Sequence, residues 1–503
     1  MRAKKALYCT ITSFAFQFLA IIVGFIQPRI LIEVYGSSTN GLVMAIAQFI
    51  RYFSVLELGL AGAVIYKLYK PLEVEDNNDI NKILSSTKHY YWRIGIVYST
   101  LVIGFSSIYP FIINAEEIPK ITVFLLVLIV GCSGSIEFFL LSKYRVLLVA
   151  DQRSYVINLV SILVLIINSI IIIGMALLDF NIALVQSTAL STYFIRFAII
   201  YFYIKRKYPN VNYNFKGHYI SFDNRNDVLI MQVAGLLIWN SPFFIISILI
   251  GVTEVSIYAI YNLVFSGLDG VLSSLNNGLQ AGFGRLLATQ KRNIFIKAYK
   301  EYELISFTIS SWMFSCSAIL ILPFINVYTK GITDANYINP ILAFLFVITY
   351  FVGKGLTMPY MTIVNSAGLF KEVSKPLLIT SITSILLSIL FAMLYRIEGI
   401  LVITFFTVTI VLVIFIKVAT TKVTEIAIRA TIFNILKTLS ISIIGIVTFD
   451  YICPLDISNY KDWVITAIIA TFWIGFVLIV GNLLLNRTAF LEVLKRVKAV
   501  MKK

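Results

Sequence analysis

Four basic residues lie inside or at the end of long apolar runs, where lipid rather than water would surround them. Arg51, Arg196 and Lys354 fall within such runs, and Arg29 follows Pro28 in the last turns of the first run. A basic side chain at the bilayer centre costs about 2.5–3.5 kcal/mol on insertion scales, so such charges usually face a protein interior or a water-filled cavity. Arg29 is also close enough to the surface to snorkel.

Acidic residues within the same runs offer a structural alternative to anion binding, because they could neutralise these cations in ion pairs. Asp269, in the stretch SGLDGV, is expected where it could pair with an arginine of the second run across an interface between two bundles. The acids within the predicted spans are Glu57, Glu137 and Asp269.

No motif typical of a metal, redox or nucleotide site accompanies these charges. The four cysteines and two histidines are widely spaced, so neither a metal site nor a disulfide framework is indicated. The Gly-x-x-x-x-Gly-Lys-Ser/Thr motif is absent, which argues against ATP hydrolysis by this chain. The longest breaks between apolar runs, near 65–92, 205–227 and 281–303, are too short for a soluble catalytic domain. We therefore predict that the protein is not an enzyme and needs no cofactor.

The composition indicates that the segments carrying these charges span a membrane. The chain has 503 residues, 59% of them hydrophobic and 13% charged, with a mean hydropathy of +0.90, which excludes a water-soluble globule. Runs of roughly 17–25 apolar residues, enough to cross about 30 Å of hydrocarbon, are predicted to be helices because backbone groups in lipid must be paired internally. The first run is too long for a signal peptide and is expected to be retained. The predicted spans are 7–32, 42–64, 93–113, 121–142, 155–178, 181–204, 228–250, 255–280, 304–325, 340–364, 377–395, 399–416, 431–451 and 463–485.

The distribution of basic residues predicts the orientation of these spans. Most of the 41 Lys and Arg fall on the face that holds the N-terminus and every second connection. By the positive-inside rule that face is cytoplasmic, and so are both termini. The net charge of +16 then reflects topology and anionic lipid, and predicts no nucleic-acid partner.

Two segments about two hundred residues apart indicate an internal repeat of the kind found in many transporters. ILIEVYGSSTNGLVMAIAQF spans the first two runs, and ISILIGVTEVSIYAIYNLVF spans the seventh and eighth. Both read as an apolar helix, a turn that opens at Gly36 or Gly251, and an aromatic-bearing helix. A six-plus-six duplication would produce a match at these positions, although two apolar hairpins can also be similar by chance.

These features together resemble a known family. About fourteen helices, PRILIEVYGSSTNGLVMAIAQF after a basic start, and LELGLAGAVIYKLYKP closing the second span look like the polysaccharide-transporter branch of the multidrug/oligosaccharidyl-lipid/polysaccharide (MOP) flippase superfamily. Within that branch the chain is most similar to Wzx-type O-antigen flippases. The resemblance implies an all-helical fold with two six-helix bundles in a V-shaped, MATE-like arrangement and a final helix pair. The corresponding domains would be 1–204, a cytoplasmic linker at 205–227, 228–416, and 417–503 with the basic tail.

The resemblance also implies a cargo and a place of action. Wzx-type proteins move an oligosaccharide on undecaprenyl pyrophosphate from the cytoplasmic to the outer face of the bacterial plasma membrane, where lipopolysaccharide and other glycans are assembled. Membrane lipids, a glycan polymerase and a chain-length regulator are the implied partners. A coupling ion, H⁺ or Na⁺, is left open.

For the site, the resemblance implies a cationic cavity that binds the pyrophosphate. Arg29 and Arg51 match the family's cavity-facing basic residues of the first two spans by placement, and Lys354 lies on a span that lines the cavity. Arg196 is a further candidate. Three tyrosines could stack on sugar rings or simply pack in the core: Tyr52, Tyr261 and Tyr350.

Two other functions remain open from the residues. A cation-coupled multidrug exporter of the same superfamily would need an embedded carboxylate in the first or seventh span. Those spans have no acid before Glu33 and Glu254 at their outer ends. A non-transporting scaffold of a glycan-assembly complex would have no reason to bear the insertion cost of central charges.

Overall fold

The described part of the chain is a helical membrane protein. The computed structural model describes residues 2–57, 60–115, 117–215, 226–288, 292–452, 457–487 and 490–492, and within these ranges there is no β-strand. Twelve helices in these ranges are long and apolar enough to cross a membrane. The predicted class, an all-helical multi-pass membrane protein, is therefore confirmed. The end of the basic tail, residues 493–503, and positions 216–225 of the predicted linker lie outside the described residues.

Fifteen α-helices are bounded within these ranges, and short 3₁₀ or π segments join some of them. They are α1 Arg2–Phe53, α2 Leu60–Glu73, α3 Asn77–Ile112, α4 Lys120–Ile136, α5 Ser142–Ala150, α6 Ser154–Leu177, α7 Ile182–Lys207, α8 Asn226–Leu249, α9 Val252–Ala288, α10 Arg292–Tyr328, α11 Pro340–Tyr350, α12 Met358–Ser366, α13 Phe370–Ala419, α14 Ile428–Ile452 and α15 Tyr460–Leu485. The helices form two compact units, Met1–Val233 with Phe243–Ser256, and Ala234–Pro242 with Ile257–Lys503.

Two of the candidate spans are too long for one crossing, and each contains a break. Tyr8–Glu57 has 50 residues and Phe370–Thr424 has 55, about 75 and 83 Å at 1.5 Å per residue, against about 30 Å of hydrocarbon. The first is non-helical at Gly36 (φ 81°, ψ 166°). The second is non-helical at Tyr395 and Arg396. Helix α1 continues through Pro28, so its break lies at the glycine turn, not at the proline.

The order of helices repeats about 215 residues further along the chain, as an internal duplication requires. Helix α3 has 36 residues and α10 has 37, while α5 and α12 have nine each. Gly36 and Gly251 both have positive φ angles, of 81° and 149°. A π-helical segment precedes each nine-residue helix, at Glu137–Leu141 and at Phe351–Leu356. The repeat that the sequence indicates at the two glycine turns therefore extends over the following helices.

The first unit is built on close packing of α3 against α4 and of α1 and α7 against α6. Small residues allow the close approach, as in many membrane helix pairs. A Cβ added at Gly134 of α4 would come within 2.1 Å of the Tyr98 hydroxyl oxygen on α3. The turn that begins at Gly251 also belongs to this unit, where Asn40 Nδ2 donates to Ser256 Oγ at 2.7 Å.

In the second unit the final helices, α14 and α15, pack against α10. Trp312 of α10 donates from Nε1 to the Thr471 carbonyl at 2.9 Å, and Trp463 of α15 donates to the Leu320 carbonyl at 3.2 Å. Ala470 and Ile474 of α15 are buried in the apolar cluster between these helices. The finer division into two six-helix lobes and a final pair remains a prediction.

Candidate functional site

Arg51 lies near the end of α1, directly before a 3₁₀ segment at Ser54–Glu57. Its side chain is exposed, and its carbonyl accepts a hydrogen bond from Ser54 Oγ at 2.6 Å. The guanidinium makes no ion pair or hydrogen bond with any residue that the structure describes. Arg51 is thus a cation within an apolar span whose charge is not neutralised by the described part of the protein.

Arg29 has a carboxylate neighbour on its own helix. Its Nη2 lies 2.6 Å from Oε1 of Glu33, one turn further along α1, and the two side chains are 21% and 52% exposed. This spacing of four residues favours local pairing on a helix surface. Glu33, at the end of the first predicted span, therefore pairs with Arg29.

Arg196 belongs to a charged network of the first unit. Its Nη1 lies 3.5 Å from Oε2 of Glu137, and Nη1 of Arg145 lies 3.5 Å from the other oxygen of the same carboxylate. Arg145 also forms an ion pair with Glu57, whose Oε1 accepts from the Tyr91 hydroxyl at 3.0 Å. Two carboxylates thus balance two guanidinium groups, and the network joins five different segments of the unit.

The π segment at Glu137–Leu141 joins α4 to α5 and so connects two members of this network, Glu137 and Arg145. Glu137 is the first residue of the segment, and Ser142 N–H donates to its carbonyl at the end. A π turn adds a residue without breaking the helix and often occurs at functional sites. Arg145 therefore lies on a continuation of the fourth span, although the sequence predicted that this span ends at residue 142.

Lys354 lies in the second π segment, Phe351–Leu356, and is paired within its own unit. Its Nζ is 2.9 Å from Oδ2 of Asp269 on α9, and the two side chains are 24% and 23% exposed. The same Nζ is 4.5 Å from the ring centroid of Trp239 on α8, a cation–π distance. Gly353 permits this approach, because a Cβ there would be 2.9 Å from Cζ2 of the Trp239 ring.

Asp269 therefore pairs with a lysine of its own unit, whereas the sequence suggested an arginine of the second span. The predicted aromatic candidates are mostly packing residues. Tyr261 is fully buried and donates to the Tyr337 carbonyl at 2.8 Å. Tyr350 is also buried and donates to Asn262 Oδ1 at 2.7 Å. Neither ring is available to a sugar in this structure.

Sequence reasoning missed several residues that the structure brings to these charges. Arg145 and Trp239 contact the predicted residues directly. Glu303 lies on α10 one residue before the predicted span 304–325 begins, within the longer candidate span Arg292–Tyr328, so the sequence did not count it among the acids within spans. Arg145 follows an apolar run by only three residues, which is the signal that could have found it.

In the described part of the chain, no group of three or more His, Cys, Asp or Glu could hold a metal ion.

Comparison with known proteins places the fold. No protein-family model matches the chain, and no curated protein matches its sequence. The lipid II flippase MurJ in an inward closed conformation superposes with a TM-score of 0.68 at 15% identity, over 95% of this chain and 99% of MurJ. An inward-facing multidrug resistance MATE family transporter of the MOP superfamily superposes with a TM-score of 0.62 at 11% identity, over 80% of this chain and 96% of the other. The chain is thus similar in fold to MOP-superfamily transporters, as the sequence indicated.

Proposed function

We propose that this protein is a flippase that moves an oligosaccharide linked to undecaprenyl pyrophosphate from the cytoplasmic to the outer face of a bacterial plasma membrane. The observation that carries the proposal is Arg51, a cation within a span that has no partner among the described residues. MurJ, whose fold this chain shares, is a flippase of lipid II. The proposed reaction is transport by alternating access, without covalent chemistry or a cofactor.

The cargo sets a physical problem that such a cation solves. A polyprenyl tail can remain in lipid while it crosses, but a pyrophosphate and a sugar chain cannot. Guanidinium forms paired, charge-assisted hydrogen bonds with phosphate oxygens, and its planar fork suits this geometry better than an ammonium group. In a low-dielectric setting the attraction is much stronger than in water.

The four predicted cations differ in their readiness to bind an anion. Arg51 needs to release no partner among the residues that the structure describes. Lys354 would have to exchange Asp269 for a phosphate oxygen, so we assign it a secondary role. Arg29 and Arg196 have carboxylate neighbours of their own, which favours structural roles for both. Membrane lipids surround the protein, and a glycan polymerase and a chain-length regulator are the partners that this function would require.

The proposal includes fourteen membrane crossings with both termini in the cytoplasm. It is supported by the two long candidate spans with breaks at Gly36 and at Tyr395–Arg396, because each is long enough to cross twice. Twelve candidate spans would then supply fourteen crossings. The concentration of Lys and Arg on one set of connections supports the orientation.

A cation-coupled multidrug exporter is the second candidate, because MATE-family transporters share the fold. Deletion of the gene distinguishes the two functions. Loss of a flippase should abolish surface glycan and cause lipid-linked oligosaccharide to accumulate on the cytoplasmic side, and restoration of the gene should reverse both. Unchanged glycan together with increased drug susceptibility would contradict the proposal and favour the exporter. A scaffold role would predict that liposomes containing the purified protein move no more lipid-linked oligosaccharide than liposomes without it.

A further inference from the structure

A carboxylate buried in the second unit receives hydrogen bonds from neutral groups alone, among the residues that the structure describes. Glu303, on α10, is 5% exposed. Its Oε1 accepts from the Tyr360 hydroxyl at 2.8 Å and from the Tyr299 hydroxyl at 3.2 Å. Its Oε2 accepts from Asn434 Nδ2 at 3.1 Å. The donors lie on three helices, α12, α10 and α14.

This environment differs from that of the three acids within the predicted spans. Glu57, Glu137 and Asp269 each pair with an arginine or a lysine. A buried carboxylate without a cation either bears a large desolvation cost as an ion or binds a proton. Three hydrogen bonds from neutral donors lower the cost of the ion. Glu303 is therefore a group for which both protonation states are accessible.

The neighbouring tyrosines can satisfy either state. A tyrosine hydroxyl is both a donor and an acceptor, so Tyr360 can donate to the carboxylate or accept from the carboxylic acid by rotating its hydroxyl. Both Tyr299 and Tyr360 are almost completely buried. Tyr299 and Asn434 can continue to donate to the carboxyl group when a proton enters, whereas Tyr360 gives up its donated hydrogen bond.

The charged groups nearby do not neutralise Glu303. Lys300, one turn earlier on α10, acts on it electrostatically but forms no ion pair with it in the described structure. Lys437 of α14 instead donates to the Leu485 carbonyl at 3.1 Å and to Asn486 Oδ1 at 3.2 Å. Glu301 is also buried and has interactions of its own. Thus the donors on α10, α12 and α14 are the tyrosines and the amide.

The internal repeat shows that helix packing alone does not require an acid here. When the starts of α3 and α10 are aligned, the position about 215 residues before Glu303 is Lys88. Lys88 donates to Asn214 Oδ1 in the first unit. The carboxylate is thus a property of the second unit and not of the repeated fold.

We propose that Glu303 is a proton-binding site, which takes up a proton from the cytoplasmic side and releases it during the transport cycle. The proton comes from water and binds to a carboxylate oxygen while Tyr360 changes from donor to acceptor. The site lies about two helical turns from the start of α14, close to the predicted cytoplasmic end. The inference rests on the proposed transport function but not on the identity of the cargo, and it assigns H⁺ as the coupling ion.

Infrared difference spectroscopy of the purified full-length protein, titrated from about pH 4, the ordinary carboxyl range, up to about pH 9, tests this without any cargo. A protonated-carboxyl band should appear as the pH falls, and Glu303→Gln should remove it. Tyr360→Phe removes a donor to the ionised form, so the midpoint should rise by about one pH unit, a tenfold change in proton affinity. Tyr302→Phe is the matched control, because the Tyr302 hydroxyl bonds with Asn276 Oδ1 and Thr362 Oγ1 and not with Glu303.

The same variants are then assayed for transport at several pH values. Glu303→Gln should flatten the pH dependence, whereas the Tyr302→Phe profile should match the parent. If no carboxyl band titrates in the parent protein, the proton site is wrong even where glycan transport is intact. If the band titrates but glycan transport does not occur, the proposed cargo is wrong and the proton site stands. If Glu303→Gln does not fold, an unchanged midpoint in Tyr360→Phe would overturn the assignment.

Discussion

Replacement of Arg51 separates anion binding from structural support more clearly than any other change in this chain. Arg51→Ala breaks no ion pair with a described residue, so the variant should insert and fold as well as the parent. Removal of a guanidinium from a span in fact avoids an insertion cost of about 2.5–3.5 kcal/mol. We therefore expect normal membrane levels and no loss of thermal stability.

Transport, unlike folding, should be strongly reduced in Arg51→Ala. Loss of a hydrogen-bonded charge contact to a desolvated pyrophosphate should cost about 2–5 kcal/mol, which is a loss of more than about tenfold in affinity. Arg51→Lys keeps the charge but loses the bidentate fork, so it should retain partial activity. Surface glycan in a deletion strain, measured beside membrane levels of each variant, gives the comparison.

A paired cation provides the matched control. Arg196→Ala removes the same charge from a span of the same unit but leaves Glu137 with Arg145 as its remaining partner. That variant should lose stability before it loses transport. Full glycan display by a well-expressed Arg51→Ala, Lys354→Ala double variant would refute the reasoning and leave these charges without a role in cargo binding.

Three further predictions concern pairing and topology. Asp269→Asn should lower the free energy of unfolding in detergent by about 1–2 kcal/mol, less than for a fully buried pair because both side chains are about a quarter exposed. The exchange Asp269→Lys, Lys354→Asp should restore part of the lost stability. An unchanged melting temperature in Asp269→Asn would contradict this prediction. Arg145→Ala should destabilise the protein more than Arg196→Ala, because Arg145 contacts both Glu57 and Glu137; thermal unfolding of the two variants decides the order. Reporters fused within 205–227 or after Lys503 should be active only in the cytoplasm, and outside activity at either position would mean that the span assignment is wrong.

The sequence alone determined the class of the protein and much of its helical order. Apolar length predicts membrane helices because backbone groups in lipid must be satisfied within each segment, which is a local requirement. The turns at Gly36 and Gly251 could also be predicted from the sequence, since a positive φ angle is a local property that glycine tolerates. Arg51, Arg196 and Lys354 were recognisable by their depth in apolar runs for the same reason.

The partners of these charges were decided only by the tertiary structure. Whether a cation is neutralised depends on which helices are neighbours and how each is rotated, and a rotation follows from packing over many distant residues. The π segments at Glu137 and Phe351 add a residue to a turn and so change the direction of the side chains that follow. For that reason Lys354 meets Asp269, Arg145 joins a network from beyond the predicted end of its span, and Glu303 is buried beside two tyrosines.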